Sequence, residues 1–302
     1  MAQVSPGPAA EGTHFVSPIR QNRSTAWIAA TALLASLCGI AGSAQAQGKL
    51  EARFTATLAG VPLGKGAWVI DIAEDQYTAA ASGATSGLMR VVAHGEGTGA
   101  SRGHMVSGQP VPASYGASVK SEKKIEEVRM TLAKGNVSDF AVLPAPRPSP
   151  ERLPVTDAHR KGVLDPMTAS LVRVAGSGDP LTPEACNRAV SVFDGRLRYD
   201  LKLAYKRMDK VKADKGYDGA AVVCAVYFTP VSGYIPDRPA IKYLSELKTM
   251  EVWLAPVAGT RVLVPFRIVL PTPLGLGVLQ ATQFVSVAHA GRPTTATNAK
   301  TQ

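Results

Sequence analysis

The sequence predicts an all-β, mainly antiparallel protein. It expects one large curved sheet forming an open barrel or β-spiral, with one short helix near residues 165–174. Three observations carry that prediction. Apolar residues recur at every second position through most segments after residue 48, the period of a half-buried strand. Twenty-two prolines and 28 glycines punctuate the chain, which suits many strands joined by turns better than a helical bundle. Leu164-Asp165-Pro166-Met167 opens the one helix that the sequence supports, with Asp165 as N-cap and Pro166 at the first helical position.

Composition narrows the class further. Of 302 residues, 45% are hydrophobic and 19% charged, which excludes global disorder and allows a sizeable core. The formal net charge is +10, compatible with nucleic acid, anionic lipid or acidic polymers as partners, or with solubility alone.

Residues 1–46 read as a secretory signal peptide with a polar, unpatterned N-terminal extension. Arg20 and Arg23 precede an apolar run from Ala26 to Ile40, and Ala44-Gln45-Ala46 supplies small residues for cleavage before Gln47. The run is about 15 residues, short of the roughly 20 that span a bilayer, so no permanent membrane span is expected. Cys38 follows Leu37, where lipoprotein processing wants a small residue. The expected location is the periplasm. Residues 47–288 form the expected single β-rich domain, and 289–302 a disordered tail.

The strands follow in order. Leu50, Ala52, Phe54, Ala56 and Leu58 alternate with polar residues, and Ala59-Gly60-Val61-Pro62 turns the chain. Trp68, Ile70 and Ile72 mark a second strand; Tyr77, Ala79 and Ala81 a third. From Ser82 to Gly108 glycines break the pattern, which fits a curved strand with bulges or a loop. Strand character returns over Pro112–Lys120 and Lys124–Leu132. Lys134-Gly135-Asn136 then turns into Val137–Leu143. Prolines from Pro144 to Pro154 make residues 144–154 a stiff connector between two halves of the sheet.

Asp165 as N-cap and Pro166 as first residue open the short helix, with Leu171, Val172 and Val174 as its apolar side. Leu197, Tyr199, Leu201, Leu203 and Tyr205 share one face of the next strand. A charged loop from Lys206 to Lys215 joins it to Ala220–Phe228, an unbroken apolar run expected to be buried on both faces. Val231–Leu244 is read as an irregular excursion. Met250–Leu254, Val262–Leu270 and Leu276–Val287 close the sheet. In the second of these, Val262, Val264, Phe266, Ile268 and Leu270 share a face, and Pro265 turns its missing donor toward an edge.

If Cys38 leaves with the signal, Cys186 and Cys224 remain. An oxidising compartment favours a disulfide between them over two buried thiols, stabilising by roughly 4 kcal/mol at most in the loop-entropy account.

Several turn and strand segments together resemble a bacterial exported family catalogued as domain of unknown function 3108. They are Ala59-Gly60-Val61-Pro62-Leu63-Gly64, Leu164-Asp165-Pro166, Phe193-Asp194-Gly195-Arg196, Tyr217-Asp218-Gly219 through Cys224 to Tyr234, and Glu251-Val-Trp-Leu-Ala-Pro256. The resemblance spans about Leu50 to Val287 and implies a periplasmic β-rich domain without an assigned activity. More loosely, the chain is similar to open-barrel or β-spiral envelope proteins, a likeness of fold that does not establish function.

No motif carries a specific chemistry. His94, His104, His159 and His289 have no metal-ligand spacing, and the sequence lacks nucleophile-elbow, acylation and phosphate-loop motifs. Glu126 and Glu127 fall on opposite faces of a strand. Asp165 reads as a cap, and Asp194 and Asp218 as turn residues. No cofactor and no metal are expected, and nucleic acid is not expected as a partner because few aromatics interleave the cations. An apolar groove lined by Phe54, Trp68, Tyr199, Leu201, Tyr205 and Phe266 is the first candidate site. Lys206, Arg207, Lys210, Lys212 and Lys215 are candidate contacts to an anionic surface. The expectation is a non-enzymatic envelope protein that binds a lipid-like ligand or an envelope protein. Its alternatives are a scaffold with a filled core and an uncharacterised envelope hydrolase.

Overall fold

The computed structural model describes residues 47–86 and 95–289. The expected signal segment, Cys38, His94 and most of the tail lie outside them. The first half is a meander of seven strands: β1 (Gly48–Leu58), β2 (Val61–Ile72), β3 (Gln76–Thr85), β4 (Gly95–Val106), β5 (Gln109–Ser121), β6 (Ile125–Ala133) and β7 (Asn136–Leu143). The second half adds β8 (Val172–Arg173), β9 (Arg188–Phe193), β10 (Arg198–Lys212), β11 (Lys215–Gly216), β12 (Asp218–Ser232), β13 (Met250–Pro256), β14 (Val262–Thr272) and β15 (Gly275–Ala288). All belong to one sheet of order β7-β6-β5-β4-β3-β2-β1-β15-β14-β13-β12-β10-β9, antiparallel along this path. Residues 144–154 carry no strand or helix.

The sheet is not closed, yet its two ends overlap. Phe193 of β9 is fully buried with Met130, Leu132 and Val163, and its ring meets Phe140 of β7 edge to face at 5.6 Å. The free side of β9 is bridged by Leu164, whose N–H donates to the Ser191 carbonyl at 2.9 Å. This covers a sheet edge that would otherwise invite pairing. The curled, overlapping sheet is the open barrel-like fold that the strand pattern predicts.

Local chemistry explains most of the turns. Ala59-Gly60, Ser107-Gly108 and Lys134-Gly135 each place two successive residues at positive φ, the two-residue hairpin geometry that matches strand twist. β12 behaves as predicted. Ala221 and Val223 face the larger core and Val222 and Cys224 a smaller one, so this strand is a wall between two apolar layers.

Three expectations need correction. The helix near 165–174 is a single turn, α1 (Pro166–Ala169), after which Val172 and Arg173 pair with β14. A second helix, α2 (Pro239–Glu246), occupies the stretch read as irregular; it starts at a proline, but Arg238 gives it no side-chain cap. The charged loop after Tyr205 is strand: β10 runs to Lys212 against β12. There the backbone ladder overrides a composition that suggests a solvated loop.

Candidate functional site

Cross-strand register turns the inner face of the first half into rows of neighbours. Toward one end of the sheet, Leu50, Ile70, Ala79, Ser101, Tyr115 and Met130 form a row. Four residues nearer the other end, the same strands contribute Phe54, Gly66, Gly83, Gly97 and Val119. Beyond these come Ala56, Gly64, Thr85, Gly95 and Ser121. Three glycines side by side leave part of the sheet with no side chains on its concave side. The result is an open, mainly apolar cavity of about 590 Å³.

Phe54 and Trp68 flank this bare patch, and Pro265, Ile268 and Leu279 of β14 and β15 also line the cavity. Met167 and Ser170 extend into its wall from α1 and its C-cap. Pro265 lies between the segments where β14 pairs with β8 and with β15, so its missing N–H leaves no gap in the ladder. Val119, 53% exposed, sits at the lip. Space at the glycines differs. A Cβ on Gly97 would come no closer than 3.6 Å to any heavy atom, whereas one on Gly66 would lie 3.0 Å from the Ser82 carbonyl oxygen.

α1 closes the inner end of the cavity through a buried polar cluster. The Asp165 carboxylate accepts hydrogen bonds from the Met167 and Thr168 backbone N–H groups, each at 3.0 Å, as an N-cap should. It also accepts from the Ser101 hydroxyl at 3.1 Å and from the Thr168 hydroxyl. Tyr77 bonds Thr168 at 2.6 Å. Burial pushes the Asp165 carboxyl above its ordinary pKa and the Tyr77 hydroxyl up to about 12. A serine, a threonine, a tyrosine and a perturbed carboxylate therefore converge, the arrangement the hydrolase alternative asks for. All four are buried. The cluster ties the plug to β3 and β4 and offers no face to a substrate.

The six expected groove residues divide. Phe54 and Trp68 line the cavity. Phe266 is buried in the core beside Phe284 and Tyr217 and does not reach the cavity wall. It occupies a bulge opposite Trp253 and Leu254, which changes the phase of the strand and sends Ile268 against the smaller core. Tyr199, Leu201 and Tyr205 lie on β10, away from the cavity. The Tyr199 ring meets that of Phe228 at a tilt, centroids 5.4 Å apart, Leu201 pairs with Phe228, and Tyr205 pairs with Cys224 and is 44% exposed. Sequence alternation finds the apolar face of β10 correctly, but that face belongs to the second layer.

The five candidate cations on β10 and β11 are mostly engaged. Lys206 and Arg207 pair with Glu251, the latter at 3.1 Å, and Lys210 and Lys212 both approach Asp218. Lys215 is exposed on β11, which pairs parallel to β15. Glu126 and Glu127 diverge as expected, with salt bridges to Lys124 and Arg129 respectively. Cys186 and Cys224 form a disulfide, fully buried, that ties the 3-10 turn Pro183–Cys186 to the middle of β12.

The glycines are what sequence reasoning missed. Gly83, Gly95 and Gly97 read as irregularity in the pattern and Gly64 and Gly66 are passed over, when each occupies an inward position of a continuous strand. The legible signal was parity: in every case the glycine replaces the apolar member of an alternating pair. Among the described residues no group of three or more His, Cys, Asp or Glu side chains is arranged to hold a metal ion, and no helix is long and apolar enough to cross a membrane.

No curated protein matches the sequence. Among solved structures, a β-barrel-like protein of domain of unknown function DUF1849 from Brucella abortus is similar over 80% of this chain and 99% of its own, at 9% identity and a TM-score of 0.41. The family described as protein of unknown function (DUF3108) matches residues 53–282, and the chain belongs to that family.

Proposed function

We propose that this protein is a non-enzymatic, periplasmic binder of an apolar-tailed, lipid-like molecule, held in the glycine-floored cavity between β1–β5 and β14–β15. The observation that carries this reading is the row Gly66-Gly83-Gly97 beside Phe54 and Trp68. A strand interior that gives up its side chains loses packing and strand propensity, and an open apolar space of about 590 Å³ is what it leaves. That volume lies within the roughly 300–1,000 Å³ of small-molecule sites. The walls are mainly apolar, with Lys65, Glu96 and Lys120 as the charged lining residues, which suits a chain held chiefly by burial.

The test is to fill the cavity from its floor. A Cβ on Gly97 meets only ordinary contacts, the nearest at 3.6 Å from the Ser118 carbonyl oxygen, so Gly97→Phe is the substitution that adds a ring from the floor. With the neutral dye N-phenyl-1-naphthylamine as probe, the wild-type protein is expected to bind and to fluoresce. The variant is expected to bind about tenfold more weakly or worse, because each displaced CH₂ contact forfeits about 0.8 kcal/mol, with its melting temperature little changed. Native mass spectrometry of protein purified from the periplasm reports any copurified lipid and whether the chain begins at Gln47. Equal dye binding by the two folded proteins would overturn the cavity reading.

A further inference from the structure

The end of the molecule at which the cavity opens carries an unusual surface. The β1–β2 and β14–β15 turns lie side by side there. The Ala59 N–H donates to the Leu276 carbonyl at 2.9 Å, and Gly275 approaches Ala59 so closely that a Cβ would lie 2.8 Å from the alanine methyl. Thr272 braces the second turn, its hydroxyl donating to the Gly275 carbonyl at 2.8 Å and accepting from the Leu274 N–H at 3.2 Å. The braced turn holds Leu274 out into solvent, 77% exposed, with Val61 and Leu276 exposed near it.

The opposite side of the same end repeats the pattern. Ile125 and Leu143, at the mouth-side ends of β6 and β7, are both exposed. Single exposed apolar residues are ordinary. Here, however, they share one end of the sheet with the cavity-lining residues Lys65, Lys120 and Ser121, and Val119, also exposed, lines the cavity itself. Lysines stand among them: Lys65 on β2, Lys120 at the end of β5, and Lys123 and Lys124 in the β5–β6 turn. Glu96 pairs with Lys120 and Glu126 with Lys124, and Glu122 shares the turn with Lys123, so four lysines against three glutamates leave the rim one net positive charge; the chain carries +10, or +9 once Arg20, Arg23 and Glu11 leave with the signal segment.

From this we infer that the cavity end is a docking face for a bilayer surface bearing anionic headgroups. Leu274, Val61 and Leu276 enter the headgroup layer, and the lysines, with the net charge of the whole chain, hold the protein to it. Apolar side chains flanked by cations are the chemistry of reversible interfacial binding. Docked this way, the mouth opens onto the layer where an apolar tail resides, so a ligand could pass between membrane and cavity without crossing water. The purpose of the contact rests on the cavity reading proposed above. The contact itself does not.

Flotation with vesicles of phosphatidylethanolamine containing about one quarter phosphatidylglycerol tests it. Wild-type protein is expected to float with the vesicles, less so as salt is raised. Leu274→Asp, in an exposed turn where folding is not at stake, is expected to lower vesicle affinity by about tenfold, the loss from keeping one leucine out of an apolar layer and placing a like charge there. Val61→Asp should act in the same direction. Both variants keep dye binding, whereas Gly97→Phe loses the dye and still floats; that crossed pattern separates the two proposals. A wild-type protein that stays off the vesicles overturns the inference, as does a Leu274→Asp variant that floats unchanged. So does sedimentation velocity showing a wild-type dimer that Leu274→Asp dissociates, since the face would then belong to a second copy of the chain.

Discussion

Two ends of the same strands make opposite use of one sheet face. At the closed end, the inward positions of β1 to β3 are Leu50, Ile70, Ile72 and Tyr77, all essentially without solvent exposure. At the open end, the inward positions of β2 to β4 include Gly64, Gly66, Gly83, Gly95 and Gly97. The register of β2 with β3 and of β3 with β4 runs unbroken from one end to the other. Only side-chain volume changes. Whether this sheet encloses a core or a cavity is therefore decided by a few residues per row, and the two ends can be altered separately.

The largest effect belongs to the closed end. Ile70→Ala removes a fully buried side chain from the tightest row, where neighbours on β1 and β3 cannot collapse inward. The expected cost is about 2–5 kcal/mol of unfolding free energy, read from urea melts. A cost below about 1 kcal/mol would mean that this end is as loosely filled as the other, and the contrast would be lost.

The plug marks the boundary between the ends, and its chemistry predicts a smaller, pH-dependent effect. Tyr77→Phe removes the hydroxyl that bonds Thr168 at 2.6 Å while Ser101 and Asp165 still serve that threonine. A loss of about 0.5–1.5 kcal/mol is expected. Asp165 sets the sign of the pH response. Burial raises its native pKa above the unfolded value, so the native state binds the proton more tightly. Its contribution to stability is fully present below the unfolded carboxyl pKa, near about 3.9, and is lost as pH rises through the higher native value. Asp165→Asn keeps a cap oxygen and removes the titration. The difference in unfolding free energy between the two proteins, followed from acid to neutral pH, should move in favour of the variant. A difference independent of pH would mean that Asp165 titrates alike folded and unfolded.

Much of this was legible in the sequence, and the limits have physical causes. Alternation identified β1, β2 and β10, because period-two burial is what a strand face imposes, and an unbroken apolar run identified the doubly buried β12. Asp165-Pro166 announced a helix start but not its length, since the chain leaves the helix after one turn to pair with β14. The disulfide followed from the cysteine count and an expected oxidising compartment. The cavity did not follow. Tyr199, Leu201, Tyr205 and Phe266 look as suitable for a groove as Phe54 and Trp68, and only the two-layer arrangement and the bulge at Phe266 separate them. The glycines that form the floor lower the apolar signal on which strand recognition depends, so the functional feature erased its own trace.

The smallest predicted effect is the one that bears most directly on why those glycines are there. In a strand interior, alanine is favoured over glycine by about 0.5–1 kcal/mol because glycine has more conformational freedom to lose. At Gly103, in the closed half, a Cβ would lie 2.1 Å from the Val111 carbonyl oxygen, so Gly103→Ala must push backbone apart and destabilise. At Gly97 the same methyl finds only ordinary contacts, at 3.6 Å to the Ser118 carbonyl oxygen and 3.8 Å to Val119. Gly97→Ala should therefore raise the melting temperature slightly while Gly103→Ala lowers it. A glycine whose replacement stabilises the fold is not there for the backbone. Its space, rather than its flexibility, is then what the sheet keeps, at a small cost in stability of the kind that functional sites show. If both substitutions destabilise alike, the bare row is a backbone requirement and the cavity a by-product of it.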